Sequence, residues 1–153
     1  MDYREHLTLL KDQKILVIDD EPDSLEVVSI LLEMYQVNVI TATKGREGLD
    51  AARQHHPVFI ISDLSMPEMS GWEMLHQLKL NRATLDIPVI ALTAHAMEGD
   101  RNRAIAAGFH SYLIKPLKPQ TFIHDLLHVV MDIPAIARLM ELERTGDKHG
   151  TDA

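Results

Sequence analysis

Residues 15–23 read ILVIDDEPD: four apolar residues, Ile15, Leu16, Val17 and Ile18, run without interruption into the acidic pair Asp19 and Asp20. An unbroken apolar run of this length suits a strand covered on both faces, as in a parallel sheet. Two adjacent carboxylates at its end are unfavourable, because like charges that close raise each other's pKa unless a cation sits between them. The stretch therefore implies a buried parallel strand that delivers acid groups to one edge, where they either splay into water or await a partner.

The same pattern repeats along the chain. KILVI at 14–18 reads as a strand, and Asp23 as the cap of the amphipathic run SLEVVSILLEMY, whose Leu25, Val28, Leu31 and Leu32 fall at helical spacing. VNVIT at 37–41 is a second strand, followed by the helix KGREGLDAARQHH, which Pro57 ends. VFIIS at 58–62 is a third strand and stops at another carboxylate, Asp63. The loop LSMPEMSG, with Pro67 and Gly71 as breakers, leads into the helix WEMLHQLKL. IPVIAL at 87–92 is a fourth strand ending at Thr93, and the helix MEGDRNRAIAA closes on Gly108, a C′ glycine. YLI at 112–114 is the fifth strand, ending at Lys115-Pro116; Pro119 suits the first turn of a last helix, QTFIHDLLHVVM. Five strands alternating with five helices imply βαβ crossovers and a doubly wound α/β fold, a parallel sheet with helices on both faces.

Composition bounds the function. The 153 residues, 46% of them hydrophobic, suit one domain with a single sizeable core. No apolar run approaches the roughly 20 residues of a membrane helix, and MDYREHLTLLKDQK has no secretory pattern. With no cysteine, disulfides, thiolate catalysis and cysteine-based zinc sites drop out, and a cytoplasmic location is expected. A net charge of −8 argues against nucleic acid as a partner and suits contact with proteins or a cation.

In open α/β sheets the binding crevice lies outside the carboxyl ends of the strands. Four of the five expected strands end there in a chemically capable residue: Asp19 and Asp20, Asp63, Thr93, and Lys115. Three carboxylates favour a hard, oxygen-seeking cation such as Mg²⁺. A carboxylate can also attack phosphorus to form an aspartyl phosphate. Phosphoryl transfer needs positioning and charge neutralisation, for which Lys115 supplies a positive charge and Thr93 a hydrogen bond.

The motifs VIDDEPDS, IISDLSMPEMSG, IPVIALTAHA and AGFHSYLIKP, at these spacings, resemble the receiver domain of two-component response regulators over residues 14 to about 131. The resemblance implies a flavodoxin-like fold with strand order 2-1-3-4-5. It makes Asp63 the phosphoacceptor, taking phosphate from a phosphohistidine on a histidine kinase or histidine phosphotransfer protein. Asp20, Asp63 and the backbone carbonyl of Ser65 would bind Mg²⁺ directly, and Asp19 mostly through water. Thr93 and Lys115 would grip the phosphoryl oxygens, and Lys115-Pro116 would be a cis bond. Tyr112 matches the aromatic that swings inward when the threonine moves to the phosphate, with Ala94 small enough to permit it. The fourth helix, fifth strand and fifth helix would form the output face for a downstream protein. Ser65 and His95 stand where the family tunes autodephosphorylation, and Ser70 replaces the more usual Asp before the retained Gly71. The stretch TAHAMEGDRNRAIAAGF resembles phosphorelay receivers more than those of transcription factors. Such a chain is a phosphoacceptor switch, not a turnover enzyme.

Other readings fit less well. A Mg²⁺ phosphatase of the haloacid-dehalogenase type also uses an Asp nucleophile, a Ser/Thr and a Lys, but its D-x-D motif is absent: the acids here are adjacent, with Glu21 third. A flavodoxin needs a phosphate-binding Ser/Thr-rich loop where this chain has DDEPDS. His124 and His128 share a helix face but lack a third ligand, and read as surface histidines rather than a zinc site. Glu21 reads either as a contact to the metal or its waters or as the start of a turn, and Trp72 as packing. Residues 1–13 read as an extension. In 132–153, IPAIARLMELER is a short helix or a frayed continuation of the fifth, and GDKHGTDA is disordered. No output domain is expected; the tail helix would serve partner docking or a homodimer.

Overall fold

In the computed structural model, which describes residues 8–94 and 98–150, the run Ile15–Ile18 lies at the centre of the molecule with no exposed surface. Ile15 and Val17 enter one apolar cluster, and Leu16 and Ile18 enter the other. Successive side chains of a strand point to opposite faces, so an unbroken apolar run is what a sheet covered on both sides requires. Phe59 and Ile61 against Ile60, and Ile90 and Leu92 against Val89 and Ala91, divide the same way.

In chain order the elements are β1 (Lys14–Ile18), α1 (Pro22–Glu33), β2 (Asn38–Ala42), α2 (Gly45–His55), β3 (Phe59–Asp63), α3 (Gly71–Lys79), β4 (Val89–Thr93), α4 (Glu98–Ala107), β5 (Ser111–Ile114), α5 (Phe122–Val130) and α6 (Pro134–Gly150). The five strands are all parallel, in the order β2-β1-β3-β4-β5. Helices α1 and α5 cover one face, and α2, α3 and α4 the other. The strand order reverses between β1 and β3, so the chain leaves their carboxyl ends toward opposite sides and a crevice opens there. The expected flavodoxin-like sheet is thus present.

The helices need three corrections. Among the described residues there are six rather than five. The turn Met131–Ile133 separates α5 from α6, which begins at Pro134, a residue suited to the first helical turn. Ile133 and Ile136 are fully buried, Leu139 and Met140 pack on the same cluster, and helix continues through the stretch at 146–150 expected to be disordered. Leu9 and Leu10, ahead of β1, are buried in that cluster, and Thr8 Oγ1 donates to Glu143 Oε1 at 3.2 Å. Second, Asp23 does not cap α1. Glu21 is the N-cap residue, without a side-chain bond, and Asp23 lies in the first turn, where its charge meets the helix dipole favourably. Third, α5 starts at Phe122, because a turn at Pro119 and Gln120 comes first, closed by Thr121 N–H donating to Lys118 O at 3.1 Å.

The end of α4 follows the expectation. Gly108 takes φ +113°, its N–H donates to Ile105 O and the Phe109 N–H to Ala104 O. Both bonds define a Schellman ending, with buried Phe109 over buried Ala104 as its apolar contact.

Candidate functional site

Asp19 and Asp20 follow β1, and Asp63 is the last residue of β3, so the crevice at the strand-order reversal receives all three acids. Asp19 is fully buried, Asp63 nearly so and Asp20 half-buried; one carboxylate oxygen from each lies within 4.8 Å of the others. From the end of β5, Lys115 reaches across the sheet. Its Nζ stands 3.0 Å from Asp19 Oδ2, 3.1 Å from Asp63 Oδ2 and 3.9 Å from Glu21 Oε1.

Backbone donors fix the two buried acids. Glu21 N–H donates to Asp19 Oδ1 at 2.9 Å, and Ser65 N–H donates to Asp63 Oδ1 at 3.1 Å. The loop that delivers the second donor depends on Gly71. A Cβ there would stand 2.2 Å from the Asp63 carbonyl oxygen, and the Gly71 N–H donates to Leu64 O at 2.9 Å. Ser70, in place of the usual Asp, caps α3 by accepting from Glu73 N–H at 3.2 Å.

The electrostatics are unbalanced. Burial pushes the Asp19 carboxyl above the usual carboxylate range, and the Asp63 charge adds to it, against the Glu21 N–H and the Lys115 ammonium. Burial would lower Lys115, but its contacts with Asp19 and Asp63 outweigh that and hold it above the ordinary lysine value. One ammonium is shared among three acids. Although Asp19 Oδ2 lies close to Lys115 Nζ, the pair lacks hydrogen-bond alignment, and this buried oxygen has no hydrogen-bond partner. A buried carboxylate oxygen without a donor is costly. An oxygen-only donor set with one such atom fits a hard divalent cation of the Mg²⁺ type.

The remaining candidates surround this cluster. Thr93 ends β4, one residue beyond Leu92, the β4 partner of Asp63, and its carbonyl accepts from Lys115 N–H at 2.8 Å. The Lys115–Pro116 peptide is cis. Ser65 is exposed at the mouth, and a cleft of about 620 Å³ lined by Glu21, Ser24, Val27, Ala94, Lys115 and Leu117 opens beside it. His95 lies outside the described residues. Tyr112 is half-buried on β5.

A scan against family models matches residues 15–127 to the response regulator receiver domain. The chain belongs to this receiver family. Among relatives, a polar-differentiation response regulator, DivK of Brucella abortus, is 35% identical over 114 residues, covering 74% of this chain and 93% of its own. The Vibrio cholerae chemotaxis protein CheY4 superposes with a TM-score of 0.72 at 30% identity, over 77% of this receiver and 98% of its own chain. The receiver domain of the Pseudomonas aeruginosa sensor histidine kinase PA1611, solved with magnesium in its active-site cleft, gives 0.69 at 27% identity, covering 78% and 98%. The acidic crevice of this receiver therefore fits the phosphorylation and Mg²⁺ site of a two-component signalling switch.

Sequence reasoning missed the partner of Tyr112. The guanidinium of Arg101 on α4 lies 4.6 Å above its ring, a cation–π contact, and Arg103 lies 4.9 Å above Trp72, which meets Phe109 edge-on. Nothing in the spacing of Arg101 signals this, because it depends on how α4 lies across β5. Among the described residues no helix is long and apolar enough to cross a membrane.

Proposed function

We infer that this receiver accepts a phosphoryl group on Asp63 from a phosphohistidine of a histidine kinase or phosphotransfer protein, with Mg²⁺ bound in the crevice. The observation that carries this reading is the buried Asp63 carboxylate, held at one oxygen by Ser65 N–H and at the other by Lys115, beside Asp19 Oδ2, which shares that ammonium at 3.0 Å and has no aligned hydrogen-bond donor. Both Asp63 oxygens are fixed, so the nucleophile is oriented before the donor arrives. A carboxylate oxygen attacks phosphorus, the P–N bond to the donor imidazole breaks, and that nitrogen takes up a proton. Asp19, Asp20, Asp63 and the Ser65 carbonyl would hold the ion, which supplies neutralisation of the phosphoryl charge. Lys115 neutralises the rest, shifting from the carboxylates toward the phosphoryl oxygens, and the Thr93 hydroxyl donates to them.

The cleft beside Lys115 supports a protein donor: Val27 of α1 lines it and is exposed, and Ile30, one turn further along α1, is exposed too, an apolar border for a partner helix. On the opposite flank Tyr112 would turn inward as Thr93 moves, changing the α4–β5–α5 face read by a downstream protein. Ser65 and His95 would set the lifetime of the aspartyl phosphate. The chemistry ends with the protein's own phosphorylation and dephosphorylation, so this is a switch rather than a turnover enzyme, and a cytoplasmic one.

Intact-mass spectrometry after incubation with acetyl phosphate and Mg²⁺ tests the proposal. One added phosphoryl group is expected, absent in Asp63→Asn and in the presence of a chelator. An adduct of equal yield in Asp63→Asn would place the acceptor elsewhere and overturn it.

A further inference from the structure

In a chain of net charge −8, three arginines gather on one groove outside the acidic crevice, between α2 and the carboxyl end of α3. Arg46 and Arg53 stand two turns apart on one face of α2, and Arg82 enters from the segment after α3. With Gln77, Leu80 and Asn81 they line a volume of about 440 Å³, within the range of small-molecule sites. No carboxylate lines it, and none of the three guanidiniums has an ion pair or hydrogen bond among the described residues. On the neighbouring α4, by contrast, Arg101 and Arg103 are stacked on aromatic rings. Three cations facing a shared groove repel one another and are relieved by an anion.

The groove is prepared for that anion in two further ways. Carbonyls at the end of a helix ordinarily repel negative charge. Here Leu78 O accepts from the Thr84 hydroxyl at 2.8 Å and Asn81 O from Leu85 N–H at 2.9 Å, so these oxygens are already engaged. Asn81 Oδ1 accepts from Ala83 N–H at 2.9 Å, which leaves the amide nitrogen as the side chain's donor. Leu80, 68% exposed, adds an apolar surface beside the charges. Guanidinium forks match phosphate oxygens bidentately.

We propose that the α2–α3 groove binds a small anion bearing several phosphates, of nucleotide type, with Arg46, Arg53 and Arg82 on the phosphates and Leu80 against its apolar part. The site goes beyond the receiver chemistry and does not depend on it. Calorimetric titration of the full chain at low salt, with a chelator present so that the metal-free acidic crevice repels phosphate, would use ATP, GTP and inorganic tripolyphosphate as probes. Saturable 1:1 binding is expected, weakened about tenfold by each of Arg46→Gln, Arg53→Gln and Arg82→Gln, and unchanged in Asp63→Asn. A nucleotide that binds more tightly than tripolyphosphate assigns Leu80 to a base, whereas equal affinity assigns the groove to inorganic polyphosphate. The arginine variants should still take up phosphate from acetyl phosphate, which shows them folded. Absence of saturable binding by all three probes, or affinity that survives the triple variant, would overturn the proposal. So would a polyglutamate peptide binding as tightly as the nucleotides, which would make the groove a protein-docking face.

Discussion

At the amino ends of the strands Leu9, Leu10, Ile133 and Ile136 close the sheet with apolar side chains that are all buried. At the carboxyl ends Asp19 and Asp63 are just as buried, but they share one ammonium, and one oxygen finds no donor. The same five strands feed both ends, so the contrast arises in the connections. Before β1 and after α5 the chain adds apolar surface and helix; after β1, β3 and β5 it adds ionisable groups and tight turns. The floor contributes hydrophobic stabilisation, on the order of 2 kcal/mol for each fully buried side chain of this size. The rim gives some of that up to hold a charge cluster ready for a cation and a phosphoryl group, as sites built for function tend to do.

Substitutions can break this comparison from either side. The largest effect should come from the floor. Ile136→Ala leaves a cavity under α6 and should cost about 3 kcal/mol in urea unfolding, while phosphorylation of Asp63 well below the melting temperature stays as in the wild type. If α6 were a loosely attached tail, the loss would fall below about 0.5 kcal/mol. At the rim, Gly71→Ala drives a methyl against the Asp63 carbonyl and should cost about 2 kcal/mol. Unlike Ile136→Ala, it should also slow phosphorylation, because the loop that carries Ser65 N–H must move. A smaller change is Ser70→Ala, which removes the α3 cap and should cost about 1 kcal/mol, with the phosphorylation rate nearly unchanged.

The pH dependence sharpens the contrast further. Asp19 has its folded pKa raised above the ordinary carboxylate value, chiefly by burial. The native state therefore holds this proton more tightly than the unfolded chain, and the stability it contributes is complete below the ordinary pKa of 3.8. That contribution is lost as pH rises through the raised value. Lys115, raised from 10.5 by its acidic partners, contributes stability that is lost as pH rises above that value. In chelator, unfolding of Asp19→Asn should lack the first loss and keep the second only in part, through Asp63.

Much of the rim was legible because its signals are local. Each apolar run names a strand, and the residue that ends the run is carried to the crevice by the topology alone, as for Asp19, Asp20, Asp63, Thr93 and Lys115. The floor was less legible. Ile136, Leu139 and Met140 mark a helix face but do not say what it packs against, and Leu9 and Leu10 lie in a stretch without a periodic pattern. Helix starts are less legible where proline decides them: Pro22 takes the first helical position and leaves Asp23 inside the first turn, and Pro119 opens a turn rather than α5. The Arg101–Tyr112 contact and the three arginines at the α2–α3 groove join residues far apart in sequence, through helix placements that periodicity does not set.

The central claim is that the rim holds carboxylates in excess of their partners so that a cation can complete them. Thermal unfolding of the wild type and of Asp19→Asn, each in chelator and at a Mg²⁺ concentration about ten times its Kd for the wild type, tests it most directly. In chelator, Asp19→Asn should be the more stable of the two. Mg²⁺ should raise the wild-type Tm by about 4 °C and leave the variant nearly unmoved. An Asp19→Asn protein less stable than the wild type in chelator, or a wild-type Tm indifferent to Mg²⁺, would contradict the account.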